Sequence, residues 1–382
     1  MDKPRAMGLF ERLAGAGPVL RDAISTGNFR LLASMLGPAF RGLVLRNGRR
    51  APGAQVPVGY PAHFDWSYER ERPDIARLYQ AGKAAQWDAS TDLDWTTDVD
   101  PLDPERALLP DAMLPMAALP QFARLSPEEK AAQRHGVTAW MLSQFLHGEQ
   151  GGLYAAAQVA ESMPTLDGKL CAGQQVADEA RHLEVFHSYL TRKLEKRYHI
   201  DDNLYVVVDA VMSDPRWDMK LLGMQVVLEG AILGAFGLMR GATREPLLKQ
   251  LLTSVIGDEA RHVRFGVIAL REHIAQLSER ERREREDWAF EMASLIQNRF
   301  LAHEFHEEHW AHALTRAQWD ALVLDSSMMA IFRRGVFERM VPNLRSIGLL
   351  SERVHPRYAR IGLLQYAGGR AATELTTQEL LA

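Results

Sequence analysis

The chain contains one cysteine, Cys171, in 382 residues. No disulfide can close within it and no thiolate cage can hold a metal, so any metal site has to use nitrogen and oxygen donors. Long hydrophobic runs are scarce as well. The longest, Val226 to Met239, is too short for a bilayer span and carries Glu229 in its first half, so no transmembrane helix is expected. The opening residues MDKPRAMGLFERLAG are broken by Glu11 and Arg12 before any apolar run reaches the length of a secretory signal. These absences set the expectation of a soluble, cytoplasmic protein. A strong excess of one charge is also missing, because the formal net charge is −4. That balance hides an asymmetry: the first 50 residues hold nine Lys/Arg against three Asp/Glu, which leaves −10 on the remainder. Phe29 to Arg46 mixes apolar residues with arginine, a pattern that suits a peripheral membrane contact or an acidic partner. The simpler expectation is amphipathic helices packed on the main body. Aromatic and basic residues do not interleave, so no nucleic-acid partner is expected.

What is present is helical periodicity. At 47% hydrophobic content the chain can bury a sizeable core. From about residue 126 it is rich in Ala, Leu, Glu and Arg with little β-branched alternation, which predicts an all-α fold. Ser126-Pro127-Glu128-Glu129 supplies a cap, an N1 proline and first-turn acids for a helix to about Ser162. A second is expected to follow Met163 to Asp167 and continue to about Tyr198, a shorter one over 201–213, a third from Asp214-Pro215 to about Arg240, and a fourth to follow the Gly241 to Pro246 turn and end near Leu277. Residues 126–277 thus form the expected core. Residues 1–125 would supply basic N-terminal helices and an irregular, Pro-rich wrapping segment, with Pro101, Pro104, Pro110, Pro115 and Pro120 breaking helices. Within it, QWDASTDLDW (Gln86 to Trp95) reads as a tethered loop, either a structural plug or a pocket wall. Residues 278–382 would add C-terminal helices packed on the core. Ser278 to Trp288, SERERREREDW, has opposite charges at helical spacing and reads as a solvated face.

The pentapeptide Asp-Glu-Ala-Arg-His occurs twice, at Asp178 to His182 and at Asp258 to His262, 80 residues apart. In each copy a glutamate and a histidine at i and i+3 share one helix face, with Cβ atoms roughly 5 to 6 Å apart, so both can reach one metal. Apolar neighbours (Leu183, Val185, Phe186; Val263, Phe265, Val267) place these charges inside a core, where they need a counter-charge. Glu149 precedes Glu179 by 30 residues and Glu229 precedes Glu259 by the same 30. In an antiparallel hairpin, residues equidistant from the turn lie at one height. The midpoints are Pro164 and residue 244, inside the Gly241 to Pro246 turn. With about 15 residues to each turn, all four acids fall in one layer roughly 22 Å from the hairpin tips. Four carboxylates and two imidazoles, Glu149, Glu179, His182, Glu229, Glu259 and His262, suit two divalent cations. Carboxylate with imidazole favours iron or manganese, whereas a tetrahedral zinc site needs fewer ligands. Asp178 and Asp258 are each expected to accept a hydrogen bond from the histidine of the opposite copy, with Arg181 and Arg261 completing an outer ionic shell or serving as helix-surface ion pairs.

At these six residues the sequence resembles the ferritin-like di-iron carboxylate superfamily, over about residues 126–277. The superfamily includes bacterial multicomponent monooxygenases, desaturases, the ribonucleotide reductase small subunit, arylamine N-oxygenases and related ligand-binding oxidases. The resemblance implies a ferritin-like four-helix bundle, two iron ions (manganese or a mixed pair in some members) and oxygen activation. It implies an oxidoreductase acting on a small or carrier-bound substrate by hydroxylation, N-oxidation or desaturation. A reductase or ferredoxin would donate electrons, and a homodimer is expected. A ferroxidase or iron-storage protein and a manganese catalase are the alternatives. Departures limit the reaction that can be named. Phe186 stands where the reductase keeps its radical tyrosine. Gly151 and Met224 replace the valine and tyrosine of the oxidases' crosslink, and Val255 replaces the additional histidine of N-oxygenases. Ile232 and Leu233 occupy the place of a threonine found in monooxygenases and desaturases.

Gln175, one turn before Glu179, faces the same layer. It is the candidate catalytic residue, able to donate a hydrogen bond to an oxygen species at the metal or to a ligand carboxylate, with an ordinary buried amide as the bland alternative. Phe145, Leu153, Phe186, Leu233 and Val255 lie one turn from ligands and would line a dry pocket or simply pack the core. His303, His306, His309 and His312 recur every three residues, a period that drifts around an α-helix. They are expected to serve surface or inter-helix packing rather than a second metal site.

Overall fold

The computed structural model describes residues 24–50, 53, 55–56, 58–103, 107–376 and 378–379. The stretch MDKPRAMGLFERLAG and Pro104 lie outside the described residues. Among those described the chain is all-helical, with no strand.

Where local signals are strong, helices start and stop at them. Helix α1 (Phe29–Ala39) is capped by Asn28 and runs into a wider turn at Phe40–Val44. The basic charges that follow turn inward, with Arg41 bidentate on Asp209 at 2.7 Å and Arg46 on Asp202 at 2.8 Å. This stretch therefore packs on the body of the protein. The Pro-rich segment is less irregular than expected. Helix α2 (Pro73–Ala84) starts on an N1 proline and lies against two later helices. Gly82 permits that approach, since a Cβ there would lie 2.9 Å from Gln174 Cγ.

Helix α3 (Pro127–Ser162) opens with the full capping box of Ser126 and Glu129 and ends where Pro164 excludes a further turn. Helix α4 (Leu166–Arg192) begins at the Thr165 cap and packs antiparallel to α3. It stops six residues short of the expected Tyr198. Lys193 is drawn to the carbonyls of Trp95 and Thr97, Glu195 takes a positive φ of 50°, and Tyr198 N–H donates to Ser143 Oγ. Tertiary hydrogen bonds thus outcompete the next helical turn. Helix α5 (Asp202–Ser213) is capped by Asp201.

Helix α6 (Trp217–Ala242) is long and apolar enough to cross a membrane by length and composition, which the single run Val226 to Met239 did not reveal, but 89% of its apolar window is buried inside the protein. It is a core helix. It widens into π geometry at Leu222–Leu228, immediately before Glu229. Helix α7 (Pro246–Gln276) starts at Glu245, whose carboxylate accepts from the amides of Leu247 and Leu248. Helices α8 (Glu279–Arg299), α9 (His303–His309), α10 (Arg316–Asp325), α11 (Ser327–Ser346) and α12 (His355–Arg360) follow. One buried apolar cluster runs from Leu31 to Ala372, so the three stretches share a core.

The solvated face expected for Ser278 to Trp288 is a correction. Glu284, Arg285, Glu286 and Asp287 are buried. Their charges meet Arg30, Arg216, Asp218, Arg353 and Arg357, supplied by segments far away in sequence.

Candidate metal centre

Helices α3, α4, α6 and α7 bring Glu149, Glu179, His182, Glu229, Glu259 and His262 together, none more than 4% exposed. Their donor atoms form two overlapping quartets, each with atoms within 4.8 Å of one another: Glu149, Glu179, His182, Glu259, and Glu179, Glu229, Glu259, His262. Glu179 and Glu259 belong to both. His182 Nδ1 lies 3.2 Å from Glu149 and 3.1 Å from Glu259, and His262 Nδ1 lies 3.2 Å from Glu179 and 3.4 Å from Glu259. The imidazoles stand 5.9 Å apart. Gly152 makes room for this layer, because a Cβ there would sit 2.9 Å from Glu179 Oε2.

The four glutamates have only the two histidines as charge partners among the described residues. Burial, reinforced by Glu259, pushes the Glu149 and Glu229 carboxyls well above the usual range. Burial opposes the Glu179 charge, yet the neighbouring imidazoles hold it well below that range. Both histidines are raised well above 6.5, since the surrounding carboxylates outweigh desolvation. Glu149 Oε1, Glu229 Oε2 and Glu259 Oε2 are buried without a hydrogen-bond partner. His262 Nδ1 is close to carboxylates but not aligned with one for a hydrogen bond. Orphaned inward acceptors on an excess of buried negative charge are what a bound cation would satisfy. The donor set therefore fits a metal.

Around this layer lies a balanced one. His182 Nε2 faces Asp258 at 3.1 Å and His262 Nε2 faces Asp178 at 3.3 Å, so each imidazole presents Nδ1 inward and is oriented by the aspartate of the other copy. Arg181 donates to Asp178 at 2.6 Å and to Asp258 at 2.8 Å, and Arg261 pairs with Asp258. Two carboxylates meet two guanidiniums. Both aspartates are held below the usual carboxylate range by the opposing histidines, against the effect of burial.

Two residues of this outer layer escaped the sequence reading. Gln86 donates to Asp178 at 2.9 Å and accepts from Arg181, and the Trp87 indole N–H donates to Asp258 at 2.8 Å with Arg181 stacked 4.7 Å above its ring. They open the tethered loop QWDASTDLDW, so its first two residues secure the site's surroundings. Trp95 at its other end bonds the carbonyl of Ala89. The aromatic residue was the available signal; the direction in which it points was not.

Gln175 lies inside the layer, its amide nitrogen 2.9 Å from Glu179 Oε1 and 3.0 Å from Glu229 Oε1. Phe145, Phe186, Leu233 and Val255 are buried, and Leu153 is half-buried. Phe145, Phe186 and Phe236 pack ring on ring at 4.7 to 6.1 Å. A small cleft lined by Leu78, Gly82, Cys171, Gln174, Gln175 and His262 reaches the layer from beneath α2. The histidine repeat takes up separate contacts: His303 bonds Asp320, His306 bonds the Leu314 carbonyl, and His309 stacks on Phe305. Of these, the His303–Asp320 contact joins two helices, whereas His309 and Phe305 share α9 and Leu314 lies in the turn after it.

Comparison of the chain with protein-family models, curated proteins and solved structures gives no match.

Proposed function

We propose that α3, α4, α6 and α7 form a ferritin-like four-helix bundle holding two iron ions, and that the chain is an O2-dependent oxidoreductase. Its substrate is a small organic or carrier-bound metabolite, oxidised by hydroxylation, N-oxidation or desaturation, with electrons from a reductase or ferredoxin. The observation that carries this is the inner layer: four buried glutamates with no arginine or lysine partner among the described residues, in two quartets that share Glu179 and Glu259. Such sharing suits two cations bridged by two carboxylates, with Glu149 and His182 completing one position and Glu229 and His262 the other. The bound metals would supply oxygen activation. The chain's residues do the rest. Asp178 and Asp258 hold the imidazoles with Nδ1 inward, the Gln175 amide donates hydrogen bonds to Glu179 and Glu229, and the Phe145, Phe186 and Phe236 rings keep one side of the layer dry.

The test is reconstitution with ferrous iron under anaerobic conditions, followed by metal analysis and mixing with oxygen. About two metals per chain and rapid oxygen uptake support the proposal, and fewer than about one metal per chain sinks it. Glu259→Ala and His182→Ala should lose metal and oxygen consumption together, and retained consumption in Glu259→Ala refutes the assignment. A 24-subunit shell would instead support ferroxidase or storage activity. Rapid peroxide disproportionation by the manganese-loaded protein would support a manganese catalase.

A further inference from the structure

The two copies of the repeat are not equivalent around the inner layer. An offset of 80 residues maps Gln225 onto Phe145, Gln175 onto Val255, and Gly266 onto Phe186. In the first hairpin Phe145 and Phe186 fill their space with each other's rings at 6.1 Å. In the second, Gly266 leaves room for Gln225, since a Cβ at 266 would lie 2.6 Å from Gln225 Cβ. The π segment Leu222–Leu228 carries Gln225, whereas the corresponding stretch of α3 is regular α-helix. Glycine, widened backbone and amide thus occur together in the second copy only.

The amide contacts are chemically determined. Gln175 Nε2 sits between two carboxylate oxygens, of Glu179 and Glu229; as metal ligands both would be ionised and only accept, so the nitrogen end of the amide has to face them. Its Oε1 then faces Gln225 Nε2 at 3.0 Å and accepts from it. Gln225 closes the chain, with its own Oε1 buried and unpaired. The effect falls on one side of the site. Glu229 has Oε1 held by the amide and Oε2 unpaired, while Glu149, its counterpart, has Oε1 unpaired and Oε2 3.2 Å from His182 Nδ1, a nitrogen that would turn to a cation, with no amide bonded to it among the described residues.

Given the two-metal reading on which it rests, we propose that Gln225 is a positioning residue that, through Gln175, clamps Glu229 and makes the two cation positions unequal. The Glu229/His262 position has a carboxylate fixed on one oxygen. The Glu149/His182 position has one able to shift.

The test measures binding at each position separately. Full-length protein stripped of metal is titrated with Mn(II), free ion being read by electron paramagnetic resonance, in two backgrounds. Glu149→Ala leaves the Glu229/His262 position and Glu229→Ala leaves the other. Adding Gln225→Leu should weaken binding about 10-fold to 100-fold in the Glu149→Ala background and less than about 3-fold in the Glu229→Ala background, the scale of losing a hydrogen-bonded support behind a ligand. Gln175→Leu, which removes the amide itself, should weaken the Glu229/His262 position at least as much and the other position to a lesser degree, because Gln175 also holds the shared Glu179, and Gln225→Met serves where the leucine variant does not fold. Equal losses in both backgrounds would reveal a packing effect, and no loss in either would remove the clamp; each overturns the inference. If the unsubstituted protein binds neither manganese nor iron, the metal reading itself has failed.

Discussion

Two groups of buried carboxylates in this protein look alike in sequence and differ in what balances them. On α8, Glu284, Glu286, Asp287 and Glu291 are each answered by arginine: Glu284 by Arg216 at 2.8 Å, Glu286 by Arg353 at 2.7 Å, Asp287 by Arg353 and Arg357 at 2.9 Å, and Glu291 by Arg357 at 2.7 Å. In the inner layer, Glu149, Glu179, Glu229 and Glu259 have, among the described residues, only two histidines as charge partners, and all but Glu179 keep an oxygen unpaired. Burying a carboxylate is costly unless it is matched. The α8 group is matched by the fold itself and joins distant segments, whereas the inner layer is left short of positive charge. A buried acid is therefore no sign of a site; a buried acid without a fixed partner is.

The largest effect should come from breaking the matched group. Asp287→Ala removes the carboxylate that joins Arg353 to Arg357, which then keep only Glu286 and Glu291, and the loss of two charged hydrogen bonds should cost about 3 kcal/mol in chemical denaturation, while leaving metal stoichiometry unchanged. A neutral result would erase the contrast. Next in size is the effect of metal and pH on the unmatched group. Metal at 100 times its Kd should stabilise the protein by about 2.7 kcal/mol, reversed by chelation. Without metal, Glu149, Glu229, His182 and His262 all have raised folded pKa values. A group of that kind stabilises the fold below its unfolded pKa and loses the contribution as pH climbs through the folded one. Glu179, which is lowered, has its contribution fully present above its ordinary 4.5 and adds no slope there. Stability of the metal-free protein should thus fall through Glu149 and Glu229 as pH rises above about 4.5, and through His182 and His262 as well above about 6.5. Metal has to displace those protons, so its affinity should rise over the same window. A flat profile for the metal-free protein would contradict this account.

A smaller effect of opposite sign follows for Glu229→Gln, which removes an unmatched charge while keeping an acceptor for Gln175. The metal-free protein should gain about 1 to 2 kcal/mol as metal binding weakens, and a loss of stability would place Glu229 with the α8 group. The smallest belongs to the outer layer. Trp87→Phe deletes one donor to Asp258, which keeps Arg181, Arg261 and His182, and should cost about 1 kcal/mol by denaturant titration.

Much of the site was legible before any coordinates. The Asp-Glu-Ala-Arg-His repeat, the two 30-residue spacings and turns at Pro164 and Gly241 to Pro246 place six side chains at one height, because helical rise and hairpin geometry are local rules. The cap at Ser126 sits where its sequence puts it. What escaped was remote pairing. Helix α2 and the reach of Gln86 and Trp87 depend on Asp178 and Asp258, 92 and 171 residues away. The α8 charges had the spacing of a solvated helix and were buried by arginines 66 to 70 residues further on.

By itself, then, the amino-acid order determined an all-helical chain and one layer of glutamate and histidine, since both follow from periodicity and spacing along a helix. Only the tertiary structure decided which buried charges are neutralised, where α4 ends, and that the sequence difference between Phe145 and Gln225 brings a second amide to Gln175. Charge compensation and space filling are settled between segments far apart in the chain, where spacing along a single helix carries no information.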